Sequence, residues 1–151
     1  MIIGLTGTLA SGKDVVADYL KAQSFDYFSL SDEVREIARE ERIEITRETL
    51  QDLGNRQRKE NGNGYLAIRV ANKIQSQKLE NVVVNGIRNP GEIFAFGDLR
   101  SFYLISVDAP QEERFKRLKA RNRESDPKKW EEFLKVDNRD FGIGEGLSGQ
   151  N

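Results

Sequence analysis

The sequence predicts an α/β fold, a three-layer sandwich on a mainly parallel sheet, and three observations predict it. Strand-like and helix-like segments alternate along the 151 residues, the pattern of layered α/β domains. Two runs, Met1-Ile2-Ile3-Gly4-Leu5-Thr6 and Val82-Val83-Val84, are apolar on both faces, as strands covered from both sides must be. A glycine-rich loop, Gly7-Thr8-Leu9-Ala10-Ser11-Gly12-Lys13-Asp14, joins the first run to Val15, Val16, Tyr19 and Leu20 at helical spacing.

The strand at Ile2 to Leu5 is expected to lie centrally beside Val82 to Val84, because neither run can be an exposed edge. The first helix is expected from about Asp14 to Ala22. Tyr27-Phe28-Ser29-Leu30 reads as a short strand, and Ser31 and Asp32 offer an N-cap to a helix with apolar positions Val34, Ile37 and Ala38. Thr46 caps a further helix carrying Leu50 and Leu53, which the Asn61-Gly62-Asn63-Gly64 turn ends. Leu66, Ala67, Val70, Ala71 and Ile74 mark one face of the next helix. Pro90 stands where a short helix begins, and Ser101 to Val107 reads as a strand. From Pro110 to about Asp140 two polar helices are expected, broken near Ser125-Asp126-Pro127, with Trp130, Phe133 and Leu134 as a packing stripe. After Phe141 comes a glycine-rich tail, read either as disordered or as the end of a shortened domain that lacks its C-terminal edge.

Composition narrows the chemistry. A charged fraction of 32% and a hydrophobic fraction of 37% describe one water-soluble globular domain over residues 1–151, and no apolar run or leader argues against a cytoplasmic location. The formal net charge of −1 gives no support for a nucleic-acid or membrane surface; a monomer or a homodimer is expected. The absence of cysteine excludes disulfides and thiolate chemistry, and the absence of histidine excludes imidazole bases and histidine-bound metals. Carboxylate, lysine, arginine and hydroxyl groups remain, which suffice for phosphoryl transfer.

The loop from Gly7 to Asp14 fits the phosphate-binding pattern G-x-x-x-x-G-K-[ST] except at its last place, where Asp14 stands. In such a loop the glycines bring backbone amides close to a polyphosphate, the helix N-terminus stabilises its charge, and Lys13 reaches the outer phosphates. Gly7, Thr8, Leu9, Ala10, Ser11, Gly12, Lys13, Asp14 and Val15 are therefore the expected ATP-binding set. Arg88, after a buried strand and before a helix, lies where ligands bind in open α/β sheets, and its planar fork suits a phosphate. Arg35 is a similar candidate with a surface ion pair as its alternative, and Asp32 orients an acceptor, acts as a base or only caps its helix.

Several segments resemble known kinases. Ile3-Gly4-Leu5-Thr6-Gly7 followed by Ser11-Gly12-Lys13 resembles dephospho-coenzyme A kinases, and Ser11-Gly12-Lys13-Asp14-Val15-Val16-Ala17-Asp18 resembles phage deoxynucleoside monophosphate kinases. Ser31-Asp32-Glu33-Val34-Arg35 is similar to the acceptor segment of adenylate kinases, Val84-Asn85-Gly86-Ile87-Arg88 to their strand ending Asp-Gly-x-x-Arg, and Arg114 to Arg123 with Arg139 to their arginine-bearing lid. The resemblance implies a P-loop NTPase fold of the nucleoside monophosphate kinase branch, with an acceptor region over about 32–80 and a helical lid over about 117–140. It implies ATP as co-substrate and Mg²⁺ as cofactor, with Asp14 at the metal and Asn85 acting through a water. Lys13, Arg88, Arg121 and Arg139 are the implied catalytic cations, with Arg117 and Arg121 closing over the donor. Asp14 replaces the serine or threonine, and Asn85 the aspartate, of the family pattern.

The expected activity is transfer of the γ-phosphate of ATP to a nucleoside or deoxynucleoside monophosphate, with dephospho-coenzyme A as the alternative acceptor and a non-catalytic nucleotide binder as the alternative of another class. A GTP-dependent switch is disfavoured, because Asn72-Lys73-Ile74-Gln75 lacks the aspartate that reads guanine.

Overall fold

The two doubly apolar runs are the inner strands of a four-stranded sheet. In the computed structural model, which describes residues 1–97, 99, 101–122 and 126–140, the elements follow one another as β1 (Ile2–Thr6), α1 (Lys13–Ala22), β2 (Asp26–Ser29), α2 (Leu30–Glu40), α3 (Arg47–Asn61), α4 (Tyr65–Ser76), β3 (Val82–Ile87), α5 (Pro90–Gly97), β4 (Phe102–Ser106), α6 (Gln111–Arg121) and α7 (Trp130–Asp140). The side chains of Arg47, Arg139 and Asp140, and the expected tail from Phe141, lie outside the described residues, as does Ser125. The sheet order is β2-β3-β1-β4, with every neighbour parallel.

Alternation along the strands builds the layers. Ile2, Val82, Val84 and Ile87 face the cluster made by Leu30, Val34 and Ile37 of α2, Leu53 of α3, Leu66, Val70 and Ile74 of α4, and Phe96 of α5. Ile3, Leu5 and Val83 face α1 through Ala17, with Val16, Leu20 and Phe25 beside them. The register runs from Ile2 opposite Val82 to Leu5 opposite Asn85, then slips so that Thr6 faces Ile87. Gly86, at φ 87°, is the residue passed over. This bulge returns Ile87 to the face of Val82 and Val84 and leaves Asn85 on the α1 face, at the C-terminal end of the sheet. A Cβ at Gly4 would stand 2.5 Å from Ile87 Cδ1 and 2.9 Å from Phe102 Cζ, so the missing side chain makes room for both.

Two element boundaries differ from the sequence expectation. Leu30 is the first residue of α2 and not the last of a strand, and the N-cap is Ser29, whose Oγ accepts from the Ser31 amide at 3.2 Å, in place of Ser31 or Asp32. The reason is packing: Leu30 is buried against the α2–α4 side of the core, and β2 ends where the Ser29 hydroxyl supplies the first acceptor. Similarly α1 starts at Lys13, with Gly12 as its N-cap, so Asp14 sits inside the first turn. Thr46 caps α3 as expected, with the Thr46 and Thr49 hydroxyls each accepting the other's amide.

Buried ion pairs lock the helices of this layer together. Glu33 of α2 accepts from Arg69 Nε at 3.1 Å and Lys73 Nζ at 2.7 Å, both on α4. Glu92 of α5 accepts from Arg58 Nε and Nη2 of α3 at 3.1 and 3.0 Å. Among the described residues no helix is long and apolar enough to cross a membrane.

Leu66 is fully buried at the centre of the larger cluster, whereas Phe94 on α5 is 77% exposed. Leu66→Ala is expected to cost about 2–5 kcal/mol of unfolding free energy in urea titrations. Phe94→Ala is expected to stay within about 0.5 kcal/mol of the wild type, although it removes the larger side chain.

Candidate functional site

The chain leaves β1 at Thr6 and turns at Gly7, where φ is 138°. A Cβ there would lie 2.1 Å from the Val107 carbonyl oxygen, and the Val107 amide donates to the Thr6 carbonyl at 2.9 Å. The loop is thus pressed against the end of β4, and only glycine fits the turn. It runs to Gly12, which gives α1 no side-chain cap and whose carbonyl accepts the Val15 and Val16 amides, so the loop ends on the positive, donor-bearing end of the helix, which favours an anion. Lys13 folds across the loop: its Nζ donates to the Gly7 and Thr8 carbonyls at 2.5 and 2.7 Å and approaches Ser11 Oγ at 3.4 Å. The ammonium is the sole side-chain cation between Gly7 and Asp14.

Beside the loop, Asn85 of β3 donates its amide to Asp14 Oδ1 at 3.0 Å and lies 3.4 Å from the Tyr27 hydroxyl of β2. Asn85 is buried and Asp14 exposed. Two buried oxygens here, Thr8 Oγ1 and Asn85 Oδ1, have no hydrogen-bond partner, and buried polar atoms without partners are rare enough in folded proteins to need a reason. Magnesium takes oxygen ligands, commonly one or two carboxylates with waters and substrate phosphates making up the rest. One carboxylate next to an orphaned amide oxygen, at the rim of a phosphate loop, fits that donor set. Among the described residues no cluster of three or more acidic side chains offers a different metal site.

The helix α6 lies against the other side of the loop. Arg117 Nη1 donates to the Ala10 and Ser11 carbonyls at 3.2 and 2.8 Å. Arg114, 2% exposed, donates to the Leu9 carbonyl at 3.3 Å and to the Ala109 carbonyl at 2.9 Å, and it is paired with both oxygens of fully buried Asp137 on α7. Arg121 is engaged by Asp126 through Nε and Nη2 at 2.6 and 2.7 Å. That bond holds the guanidinium above its ordinary range against partial burial, and the charge of Asp14 adds to it. Arg139 lies on α7, but its side chain is outside the described residues. The structure therefore brings Arg117 to the loop and places Arg121 within the field of Asp14.

Arg88 follows β3 directly and is exposed at the same edge of the sheet as the loop. Its backbone amide donates to Glu92 Oε2 at 2.6 Å; Glu92 is fully buried, held by Arg58, and its own amide is capped by Asn89 Oδ1 at 3.1 Å. Asp32 and Arg35 pair with each other at 2.9 Å across one exposed turn of α2, a contact of little energetic weight.

Three residues at or around the site were not singled out from the sequence: Tyr27, Glu92 and Asp137. For two of them a signal existed. Asp137 continues the helical stripe of Trp130, Phe133 and Leu134, and an acid on an apolar stripe needs a buried cation. Glu92 stands three residues after Asn89 at a helix start, a capping pattern.

Comparison with known proteins shows the family and the fold. A family model described as an AAA domain matches residues 3–140. A UPF0200 protein of Pyrococcus abyssi is 38% identical, the alignment covering 98% of this chain and 83% of that protein. Among solved structures, TT1252 from Thermus thermophilus superposes with a TM-score of 0.60 at 24% identity over 91% of this chain and 78% of that one. A gluconokinase from Sinorhizobium meliloti 1021 superposes with a TM-score of 0.51 at 14% identity over 96% and 78%. The structural likeness is one of fold, a P-loop kinase-like α/β sandwich.

The Arg114–Asp137 pair generates a stability prediction. Burial alone would raise the Asp137 carboxyl, but the hydrogen bonds from Arg114 and Gln111 and the Arg114 charge outweigh it and hold the group below its ordinary value of 3.8. A carboxyl depressed on folding contributes stability that is present above its unfolded value and lost as pH falls through its folded value. At neutral pH Asp137→Ala breaks the buried ion pair with Arg114 and is expected to cost about 3–5 kcal/mol in urea unfolding. Below pH 3.8 the gap between variant and wild type is expected to narrow as Asp137 itself takes up a proton.

Proposed function

The chain belongs to the AAA domain family and to the UPF0200 proteins, and from that premise we propose that it is an ATP-dependent phosphotransferase whose acceptor is a nucleoside or deoxynucleoside monophosphate. One observation carries the reading. The loop from Gly7 to Asp14, with Lys13 across it, and Arg88 of the adjoining strand lie at the C-terminal ends of neighbouring β1 and β3, which is where an open parallel sheet binds ligands.

The residues divide the work as phosphoryl transfer requires, by alignment and by positive charge around the moving group. The backbone from Gly7 to Val15 wraps the donor's phosphates, and Lys13 exchanges its loop carbonyls for their outer oxygens. Arg88 grips the acceptor phosphate from a loop held by Glu92 and Arg58. Arg35 joins it by giving up its exposed bond to Asp32, and the released carboxylate is then placed to orient the acceptor. Arg117 and Arg121, with Arg139, neutralise charge that develops during transfer. Asp14, and Asn85 through a water, would hold magnesium, which would supply positive charge to offset that of the donor phosphates.

Lys13→Ala tests the donor half. It removes a charge-assisted hydrogen bond worth about 1.5–3 kcal/mol, so ATP is expected to bind roughly tenfold to a hundredfold more weakly by calorimetry. Wild-type affinity and turnover in that variant would sink the assignment of the loop. For the acceptor half, ADP release is measured with ATP and each nucleoside or deoxynucleoside monophosphate in turn, and with dephospho-coenzyme A. Release that depends on a monophosphate supports the reading, and release that depends only on dephospho-coenzyme A replaces the acceptor. ATP binding with no acceptor-dependent release refutes the transferase and leaves a nucleotide binder.

A further inference from the structure

In P-loop proteins generally the residue after the lysine is a neutral hydroxyl, and the carboxylate of the magnesium site comes from a neighbouring strand. This chain has the two kinds of group exchanged. The carboxylate, Asp14, is on the helix, and the neutral side chain, Asn85, ends the adjoining strand. They are in contact, Asn85 Nδ2 donating to Asp14 Oδ1 at 3.0 Å. The amide is oriented from its other side as well, with Nδ2 3.4 Å from the Tyr27 hydroxyl, and its oxygen is buried without a partner.

From this contact we infer that Asp14 and Asn85 are one unit, in which the negative charge of the magnesium site has moved from strand to helix and Asn85 positions the carboxylate that carries it. The inference rests on the nucleotide-binding reading above. Its physical basis is the cost of the other pairings at this distance. Before the metal binds, two carboxylates 3.0 Å apart repel and favour protonation of one, while two neutral groups leave the metal without a charged ligand. One carboxylate facing one amide satisfies both, and the hydrogen bond fixes one carboxylate oxygen so that the other needs little reorganisation to reach a ligand. Among the described residues that second oxygen, Oδ2, has no hydrogen bond within the protein. Asn85 is a positioning residue here, acting through Asp14 and through a water.

The test is an isosteric exchange, using Asp14→Asn, Asn85→Asp and the double variant D14N/N85D. Thermal denaturation without nucleotide reads the contact itself. Asn85→Asp is expected to melt lower than wild type at neutral pH, and the double variant to recover that loss. Titration calorimetry with ATP, in excess magnesium and in chelator, reads the metal role as the factor by which magnesium tightens binding. Asp14→Asn is expected to lower that factor roughly tenfold to a hundredfold, the usual effect of losing a group that supports a metal site. The exchanged protein is expected to return within about twofold of the wild-type factor, because the pair is coupled and its single effects do not add. If the double variant behaves as Asp14→Asn alone, or if neither Asn85→Asp nor the double variant folds, the inference is overturned while the nucleotide reading stands. If the wild-type protein binds no ATP in either condition, the nucleotide reading fails and the metal role fails with it.

Discussion

The pairing of β1 with β3 is the constraint from which the rest of the molecule follows. Both strands are buried on both faces, so each needs a helical layer above and below and a parallel neighbour, and the connections must cross over the faces. That arrangement sends the chain out of β1 and β3 at the same edge. The glycine-rich loop and Arg88, which are 74 or more residues apart in sequence, come to the same edge of the sheet for that reason alone. The bulge at Gly86 refines it by one residue, because without the slip Ile87 would leave the larger core and Arg88 would point away from its present side.

A second set of contacts fixes the loop from outside the sheet. Gly7 is held against Val107, and Arg114 reaches from α6 to the Leu9 carbonyl while its guanidinium is clamped by Asp137 of α7. A buried ion pair of this kind is weak evidence of added stability, since desolvating two charges costs about what their attraction returns. What it does here is geometric: α6 can carry Arg117 to the loop in one orientation, because a rotated helix would strand Asp137.

The sequence made the sheet and the loop legible for a definite reason: their signals are local. Val82-Val83-Val84 declares burial on both faces by itself, and Lys13 declares its place by the glycines before it. The capping box at Thr46 and the apolar face of Leu66, Val70 and Ile74 are equally local. Residues whose roles depend on distant partners were harder to see. Leu30 was expected to end a strand because nothing near it reveals that the core beneath α2 is open to receive it. Tyr27 gave no sign at all, since its hydroxyl meets Asn85 only through the β2–β3 register. Asp14 and Asn85 were each visible as a departure from a pattern, but their compensation is visible only in the contact between them.

The cations around the site show what ligand binding has to overcome. Lys13 and Arg117 are bonded to loop carbonyls, Arg121 to Asp126 and Arg35 to Asp32. None of these bonds is strong in the same way. Carbonyl acceptors are neutral and the Asp32 pair is exposed, so at Arg117 and Arg35 a triphosphate or a phosphate monoester would exchange a weak partner for a fully charged one. Arg121 differs, because its partner Asp126 is a buried carboxylate, and drawing the guanidinium away weakens a buried ion pair. An anion at the loop would have neutral carbonyls to displace at Lys13 and Arg117 and a buried carboxylate to compete with at Arg121. How readily each cation turns to a ligand depends on what it leaves behind, and Arg121, which keeps a buried acidic partner, also feels the charge of Asp14.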